Sequence, residues 1–210
     1  MRFVTLFTLC FGLLLTGRIQ AQDTLWRKKL PAGYEQETMA ALSCFPELQK
    51  VPIKFRIAHS YSALRTRPTV MSMFLPKGYR SYVIFISNKT ISNITPISFQ
   101  NLPGEARIGV IGHELSHVVD FNQKSTWRSL QVALRHFSIR YMDSLEYHTD
   151  KICIDHGLGL RLYAWSRFVR ETLHIANYRG ADYVLKGDMH RERYMNPDTI
   201  LHYIDAHGDK

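Results

Sequence analysis

The pattern of apolar and polar positions gives the N-terminal half of the chain the periodicity of strands. Residues 36–49 predict a first helix of modest length. Residues 51–59 then alternate between apolar and charged side chains, which is typical of a half-buried strand. Residues 70–75 and 79–87 predict two more strands. Within the last of these, residues 82–86 are apolar on both faces, as expected inside a sheet.

Beyond Pro103 the apolar positions recur at helical spacing. Helices are predicted there over residues 106–121, 127–141, 160–178 and 197–204. Asp143 followed by Glu146 resembles a capping box that opens another helix, which Gly157 closes. Residues 88–101 are rich in Ser, Thr, Asn and Pro and predict a loop. Strands followed by helices predict an α+β domain.

The first residues differ in kind from the rest of the chain. Arg2 gives a positive start, residues 3–15 are mainly apolar, and Ala21 is a small residue suited to a cleavage site. These are the parts of a secretory signal peptide, and the apolar run is short against the roughly 20 residues of a membrane-spanning helix. We expect a signal peptide over residues 1–21, with an uncleaved anchor as the alternative. The mature protein, a single domain over residues 22–210, is then periplasmic or secreted and has no transmembrane span.

The composition adds a basic charge and few cysteines. The chain carries 27 Lys and Arg against 18 Asp and Glu. Its basic residues are scattered, and no helix-turn-helix, finger or RNA-binding signature accompanies them, so nucleic acid is not expected as a partner. Such a charge gives solubility, or attraction to an anionic surface, an envelope polymer or an acidic substrate. Whether Cys44 and Cys153 form a disulfide stays open, because a sequence does not give their distance.

The segment His113-Glu114-Leu115-Ser116-His117 contains the residues suited to chemistry. His113 and His117 are four apart on a predicted helix, so both rings leave the same face one turn apart. This spacing lets two imidazole nitrogens converge on one tetrahedral ion. Glu114 lies beside them, within reach of a water on that ion. An apolar stripe lies roughly opposite, formed by Ile108, Ile111, Leu115, Val118 and Val119.

Two histidines do not complete a catalytic zinc site, which usually has three protein ligands and one open position. Glu146 is the best third ligand. Asp150, one turn further on the same face, would accept the free N–H of a zinc histidine. The alternative for this acidic pair is a solvated helix face. His156 ranks second as a ligand, and the further alternatives are His136, His148, Asp120, Asp155 and Cys153.

These motifs resemble those of the gluzincin metallopeptidases, in which H-E-x-x-H and a downstream E-x-x-x-D helix complete a His2Glu zinc site. The similarity covers residues 105–159 and extends loosely to the CAAX-protease-type endopeptidases. It departs from the latter at Thr149, where alanine is common, and in lacking their multiple membrane spans. The resemblance implies one zinc ion with these site residues: the ligands His113, His117 and Glu146, Asp150 hydrogen-bonded behind a ligand, and the general base Glu114.

The sequence thus predicts a zincin-like fold with a small N-terminal sheet, an active-site helix and a helical C-terminal half. The predicted function is zinc-dependent hydrolysis of peptide bonds in a protein or peptide substrate. Zincin substrates usually lie along a sheet edge, so a strand within residues 79–99 is the candidate template. His174 and His190 are candidate oxyanion donors. The alternative function is a catalytically silent zincin-like domain that binds an envelope polymer or a protein partner, although the retained Glu114 favours the enzyme.

Overall fold

The computed structural model describes residues 28–59, 64–76, 78–89, 92–127, 138–180 and 192–207. They form a mixed fold of the predicted α+β class, with a small sheet followed along the chain by helices. The strands are β1 (Lys28–Lys29), β2 (Ile53–His59), β3 (Leu64–Pro68) and β4 (Tyr82–Lys89). The α-helices are α1 (Glu35–Ser43), α2 (Gly104–Gln123), α3 (Ile139–Cys153), α4 (Gly159–Leu173) and α5 (Pro197–His207).

The sheet has the strand order β1-β2-β4-β3, in which β1, β2 and β4 are parallel and β3 is antiparallel to β4. The alternation predicted for β2 is confirmed from residue 53 to residue 56, since Ile53 and Phe55 are buried whereas Lys54 and Arg56 are exposed, but Ile57 is 47% exposed. β4 is the apolar strand expected inside the sheet, and both of its edges are paired. Its burial follows from that central position.

The structure differs from the predicted strand between residues 70 and 75. A 3-10 helix, Met71–Phe74, forms there because Ser72 turns inward and its hydroxyl donates to the backbone oxygen of Ser81 at 2.8 Å. The sheet is completed instead by β3, which the sequence pattern did not predict. Residues 88–101, predicted as loop, hold the end of β4 and two 3-10 helices, Ser92–Ile97 and Phe99–Asn101.

Helix α2 runs through the interior and packs against α1, β3, α3 and α4. Pro103 precedes its first turn, where Glu105 complements the helix dipole. Residues 108–120 are all buried, so the histidine face is covered as completely as the apolar stripe. Gly109 allows this packing, because a Cβ there would lie 2.1 Å from the backbone oxygen of Arg161 in α4.

Helix α3 begins earlier than predicted. Ser138 is its N-cap, and the Ser138 hydroxyl accepts a hydrogen bond from a backbone N–H of the first turn. The capping box predicted at Asp143 and Glu146 is therefore wrong. Asp143 lies inside the helix, is buried, and accepts hydrogen bonds of 2.9 Å from Arg179 and from Arg193. A carboxylate paired with two guanidinium groups satisfies the requirement for a buried charge.

The later helices follow the predicted order with shifted ends. Gly157, with a φ of 76°, separates α3 from α4 as expected. Helix α4 ends at Leu173, before the predicted residue 178, and its C-cap His174 adopts a left-handed φ of 53°. Helix α5 extends to His207. Most of the helix predicted over residues 127–141 lies outside the described residues.

The predicted signal peptide, residues 1–21, also lies outside the described residues. Within the described part of the chain, no helix combines the length and hydropathy that crossing a bilayer requires. Cys44 and Cys153 are free thiols. Burial raises the pKa of the Cys153 thiol well above its usual value, so this side chain behaves as an apolar core residue.

Candidate metal centre

Helices α2 and α3 bring three potential metal ligands together. His113 and His117 leave the same face of α2 on consecutive turns, and Glu146 faces them from α3. The Oε2 atom of Glu146 lies 3.1 Å from Nε2 of His113 and 3.1 Å from Nε2 of His117. All three side chains are buried. This His/His/Glu cluster could bind a metal ion.

The other nitrogen of each imidazole is held by a side chain from α3. Nδ1 of His113 lies 2.7 Å from Oδ1 of Asp150. Nδ1 of His117 lies 3.2 Å from the hydroxyl of Thr149, which donates its own proton to the backbone oxygen of Leu145 at 2.9 Å. A carboxylate and a hydroxyl already used as a donor can only accept here, so both Nδ1 atoms carry a proton.

It follows that the Nε2 atoms of the neutral imidazoles carry lone pairs, and these face the carboxylate of Glu146. Three acceptors that point at one another repel unless a cation lies between them. A tetrahedral ion with bonds of about 2.0–2.1 Å separates its ligand atoms by roughly 3.4 Å. The observed 3.1 Å separations are close to that value. The residues therefore fit a small divalent ion both in chemistry and in spacing.

The pKa shifts of His113 and Glu146 have the same cause, which is the attraction of this cluster for a positive charge. Burial alone lowers the pKa of His113, but the hydrogen bonds and charges of Asp150 and Glu146 outweigh burial and raise this pKa well above its usual value. Burial alone raises the pKa of Glu146, but the charge of His117 and the hydrogen bonds of both imidazoles lower it well below its usual range. Without a metal ion, a proton is thus bound strongly in the same place.

Glu114 lies next to the cluster and is held differently. Its side chain is buried, and Oε2 has no hydrogen-bond partner among the described residues. Its backbone oxygen accepts a 3.2 Å hydrogen bond from the hydroxyl of Thr66 in β3. A buried carboxylate oxygen without a partner is costly, which points to a ligand or water that the oxygen serves.

The segment of residues 192–196 covers the site and was not recognised from the sequence. The backbone N–H of Met195 donates to Oδ2 of Asp150 at 2.7 Å, so Asp150 joins this segment to His113. The ring of Tyr194 packs against the His113 ring with a centroid distance of 5.5 Å. Burial and the nearby charges of Glu146 and Glu114 raise the pKa of Tyr194 well above its usual value, so its hydroxyl stays protonated.

Helix α4 fixes this segment in position. Arg170 donates to the backbone oxygen of Tyr194 at 3.1 Å and to the side chain of Asn196 at 2.8 Å. The hydroxyl of Ser166 donates to the backbone oxygen of Met195 at 2.7 Å. No helical or strand period marks these residues, so the only signal in the sequence is the aromatic character of Tyr194.

The alternative ligands have other partners or lie elsewhere. His156 contacts the backbone oxygen of Ile152 and the carboxylate of Glu47. His148 is exposed, and so is the candidate oxyanion donor His174. The remaining described alternatives have these partners: Lys124 for Asp120, Tyr203 for Asp155 and Gly109 for Cys153. His136 and His190 lie outside the described residues.

The strand expected to serve as a substrate template is also different. Within residues 79–99 the strand is β4, which is paired on both edges and cannot accept another strand. The edge strand on the side of the metal cluster is β3, where Thr66 contacts the backbone of Glu114. No family model, curated protein or solved structure matches the chain.

Proposed function

We propose that the chain is an exported zinc metallopeptidase of the gluzincin type. The observation that supports it most is the convergence of one carboxylate and two imidazole lone pairs, with Nδ1 of each imidazole held by a side chain of α3. Two imidazoles and a carboxylate are a ligand set that zinc prefers, whereas magnesium and calcium prefer oxygen alone. Three protein ligands leave one coordination position open, which distinguishes a catalytic zinc site from a structural one.

The catalytic assignment rests on Glu114. When bound at such a site, zinc polarises a carbonyl oxygen and lowers the pKa of a coordinated water to about 7. The unpartnered Oε2 of Glu114 would accept a proton from the attacking water and pass it to the leaving amine. A domain that only binds a partner has no use for an unpartnered buried carboxylate at this position.

Tyr194 is the residue we assign to stabilise the developing oxyanion. Its hydroxyl keeps its proton, because burial and the charges of Glu146 and Glu114 raise its pKa. Its ring lies against His113, on the segment that Asp150 and Arg170 hold in place. A positioned donor of this kind contributes to catalysis without having to reorganise during the reaction.

The substrate is a protein or peptide in an extended conformation. β3 has an edge without a partner strand among the described residues, and Thr66 links it to the helix turn that bears Glu114. An extended peptide that adds to this edge would pass beside the metal cluster. The proposed location is periplasmic or secreted, after removal of residues 1–21.

Metal analysis combined with a cleavage assay tests the proposal. The purified chain should contain one zinc ion and cleave casein or members of a peptide library. Glu114→Gln should retain zinc and lose hydrolysis. Glu105→Gln is the matched control, since it changes an exposed glutamate of the same helix and should leave both properties unchanged.

Each other outcome has a distinct meaning. Stoichiometric zinc without cleavage of any peptide would favour the silent binding domain. Full activity in Glu114→Gln would remove the general-base assignment. Absence of zinc from a folded protein, together with unchanged metal content in Glu146→Ala, would refute the metal centre itself.

A further inference from the structure

The loop between β3 and β4 has its polar side chains inside and its large apolar side chains outside. We call residues 69–76 and 78–81 the apolar loop. Its exposed large side chains, with their exposed fractions, are Val70 62%, Met71 80%, Phe74 64%, Leu75 42% and Tyr79 76%. Trp127, which is 68% exposed, directly follows Thr126, whose hydroxyl donates to the backbone oxygen of Leu75. Such a concentration of exposed apolar residues is unusual on a soluble surface.

Buried polar groups hold this loop in shape. Ser72 is 4% exposed, and it bonds to Thr69 and to the backbone of Ser81. Arg80 is 1% exposed, and its guanidinium donates to the backbone oxygens of Leu75 and Phe121 at 3.0 and 2.8 Å. The loop is therefore anchored from within, and collapse of the apolar side chains into the core would break these hydrogen bonds.

The face of the sheet that begins beside the loop is strongly basic. Its exposed side chains are Lys29, Lys54, Arg56, Arg65 and Arg67. The strand registers put them on one face, since Lys54 and Arg67 both flank Val83 and Arg56 and Arg65 both flank Phe85. The four strands contain no acidic residue. None of these five cations makes an ion pair among the described residues.

We propose that the apolar loop and the adjoining basic sheet face dock the protein on an anionic lipid bilayer. The loop would enter the interface with Met71, Phe74 and Tyr79, and Lys54 and Arg67 would meet the lipid headgroups. A bilayer offers an apolar interior and a negative surface in the same place, and aromatic side chains favour that boundary. This docking is independent of the chemistry at the metal cluster.

Other occupants fit the two features less well. A second copy of the chain would bring the same unpaired cations together, on a protein with a formal charge of +9. A nucleic acid would match the cations but would offer no apolar interior for Val70, Met71 and Leu75. Binding measurements on the purified chain distinguish both of these occupants from a bilayer.

Vesicle co-sedimentation of residues 22–210, the chain after the proposed cleavage, tests the proposal. Vesicles of phosphatidylcholine alone are compared with vesicles in which phosphatidylglycerol replaces a third of it. Binding should require phosphatidylglycerol and weaken in high salt. Arg67→Gln should weaken binding about fivefold, the effect of roughly one cation near an anionic surface. Phe74→Ser should weaken it about tenfold, because burial of one such side chain in the interface is lost.

Two control variants lie on α4. Arg167→Gln removes the same charge and should leave vesicle binding unchanged. Leu160→Ser removes an apolar side chain that is 62% exposed, close to the 64% of Phe74, and should also have no effect. Equal binding by all four variants and the wild type would overturn the proposal.

A second measurement, the quenching of tryptophan fluorescence by lipids, does not require a variant with weakened vesicle binding. Lipids with brominated acyl chains should quench the fluorescence of Trp127 in the bound protein, and the quenching should decrease in Trp127→Phe. The absence of this difference would place the loop away from the bilayer. Concentration-dependent dimers that Phe74→Ser dissociates, with no vesicle binding, would assign the surface to self-association. Binding to an RNA oligonucleotide but not to vesicles would assign it to nucleic acid.

Discussion

Replacement of Gly109 by alanine should destabilise the protein, although the same change stabilises an isolated helix by about 0.8–1 kcal/mol. The added Cβ would lie 2.1 Å from the backbone oxygen of Arg161, 2.4 Å from its carbonyl carbon and 2.8 Å from the nitrogen of Leu162. These are main-chain atoms of α4, so rotation of a side chain cannot relieve the contact. The helices must move apart.

The magnitude follows from the size of that movement. Ordinary contacts begin near 3.4 Å, so α4 must withdraw from α2 by more than about 1 Å. Forced overpacking costs about 1–3 kcal/mol and occasionally more, and a contact between two backbones belongs at the upper end. After the gain in helix propensity, we expect the free energy of unfolding to fall by about 2 kcal/mol.

Urea unfolding followed by circular dichroism measures this change. Gly104→Ala is the matched control, since it lies in the same helix and a Cβ there meets nothing within 4 Å. That variant should be as stable as the wild type or slightly more so. If Gly109→Ala were also equal to or more stable than the wild type, the close packing of α2 on α4 would be refuted.

Three further predictions concern the metal cluster. Asp150→Asn replaces one of the two carboxylate oxygens that accept hydrogen bonds. Zinc affinity, measured by competition with a chromogenic chelator, should fall roughly 10–100-fold. An unchanged affinity would mean that Asp150 does not support His113. Tyr194→Phe should lower kcat about 100-fold with little change in KM, whereas a rise in KM alone would indicate a role in substrate binding. Metal removal should lower the free energy of unfolding by about 4 kcal/mol relative to a solution with zinc at a thousand times its Kd. Calorimetry of Glu146→Gln should show almost none of this dependence, and an equal shift in that variant would contradict the ligand assignment.

The parts of the fold and site that could be predicted are those that depend on residues close together in the sequence. The alternation of β2, the apolar run of β4 and the helical spacing around His113 each depend on a few neighbouring residues. Their structures follow because local preference and burial agree. The approach of Glu146 to the histidines was expected from a motif, and the distances between the side chains come from the packing of α2 against α3.

The errors come from contacts that are distant in sequence and, in one case, from hydrogen bonds within a loop. The spacing of Asp143 and Glu146 imitates a capping box, but the partners of Asp143 are Arg179 and Arg193, which a local pattern does not reveal. Residues 70–75 have the composition of a strand, yet inward hydrogen bonds of Ser72 with Thr69 and Ser81 bend the chain. Tyr194 reaches His113 from a segment without a regular period, held by Arg170 of another helix.

Asp150 would connect metal occupancy of the proposed site with the order of the C-terminal segment. One of its oxygens orients His113 and the other accepts the amide proton of Met195. Without the proposed ion, a proton would take its place on His113, so the charge that Asp150 faces would change and with it the strength of its hydrogen bond to that amide. Deuterium exchange at Met195 would therefore report filling of the proposed site without any substrate.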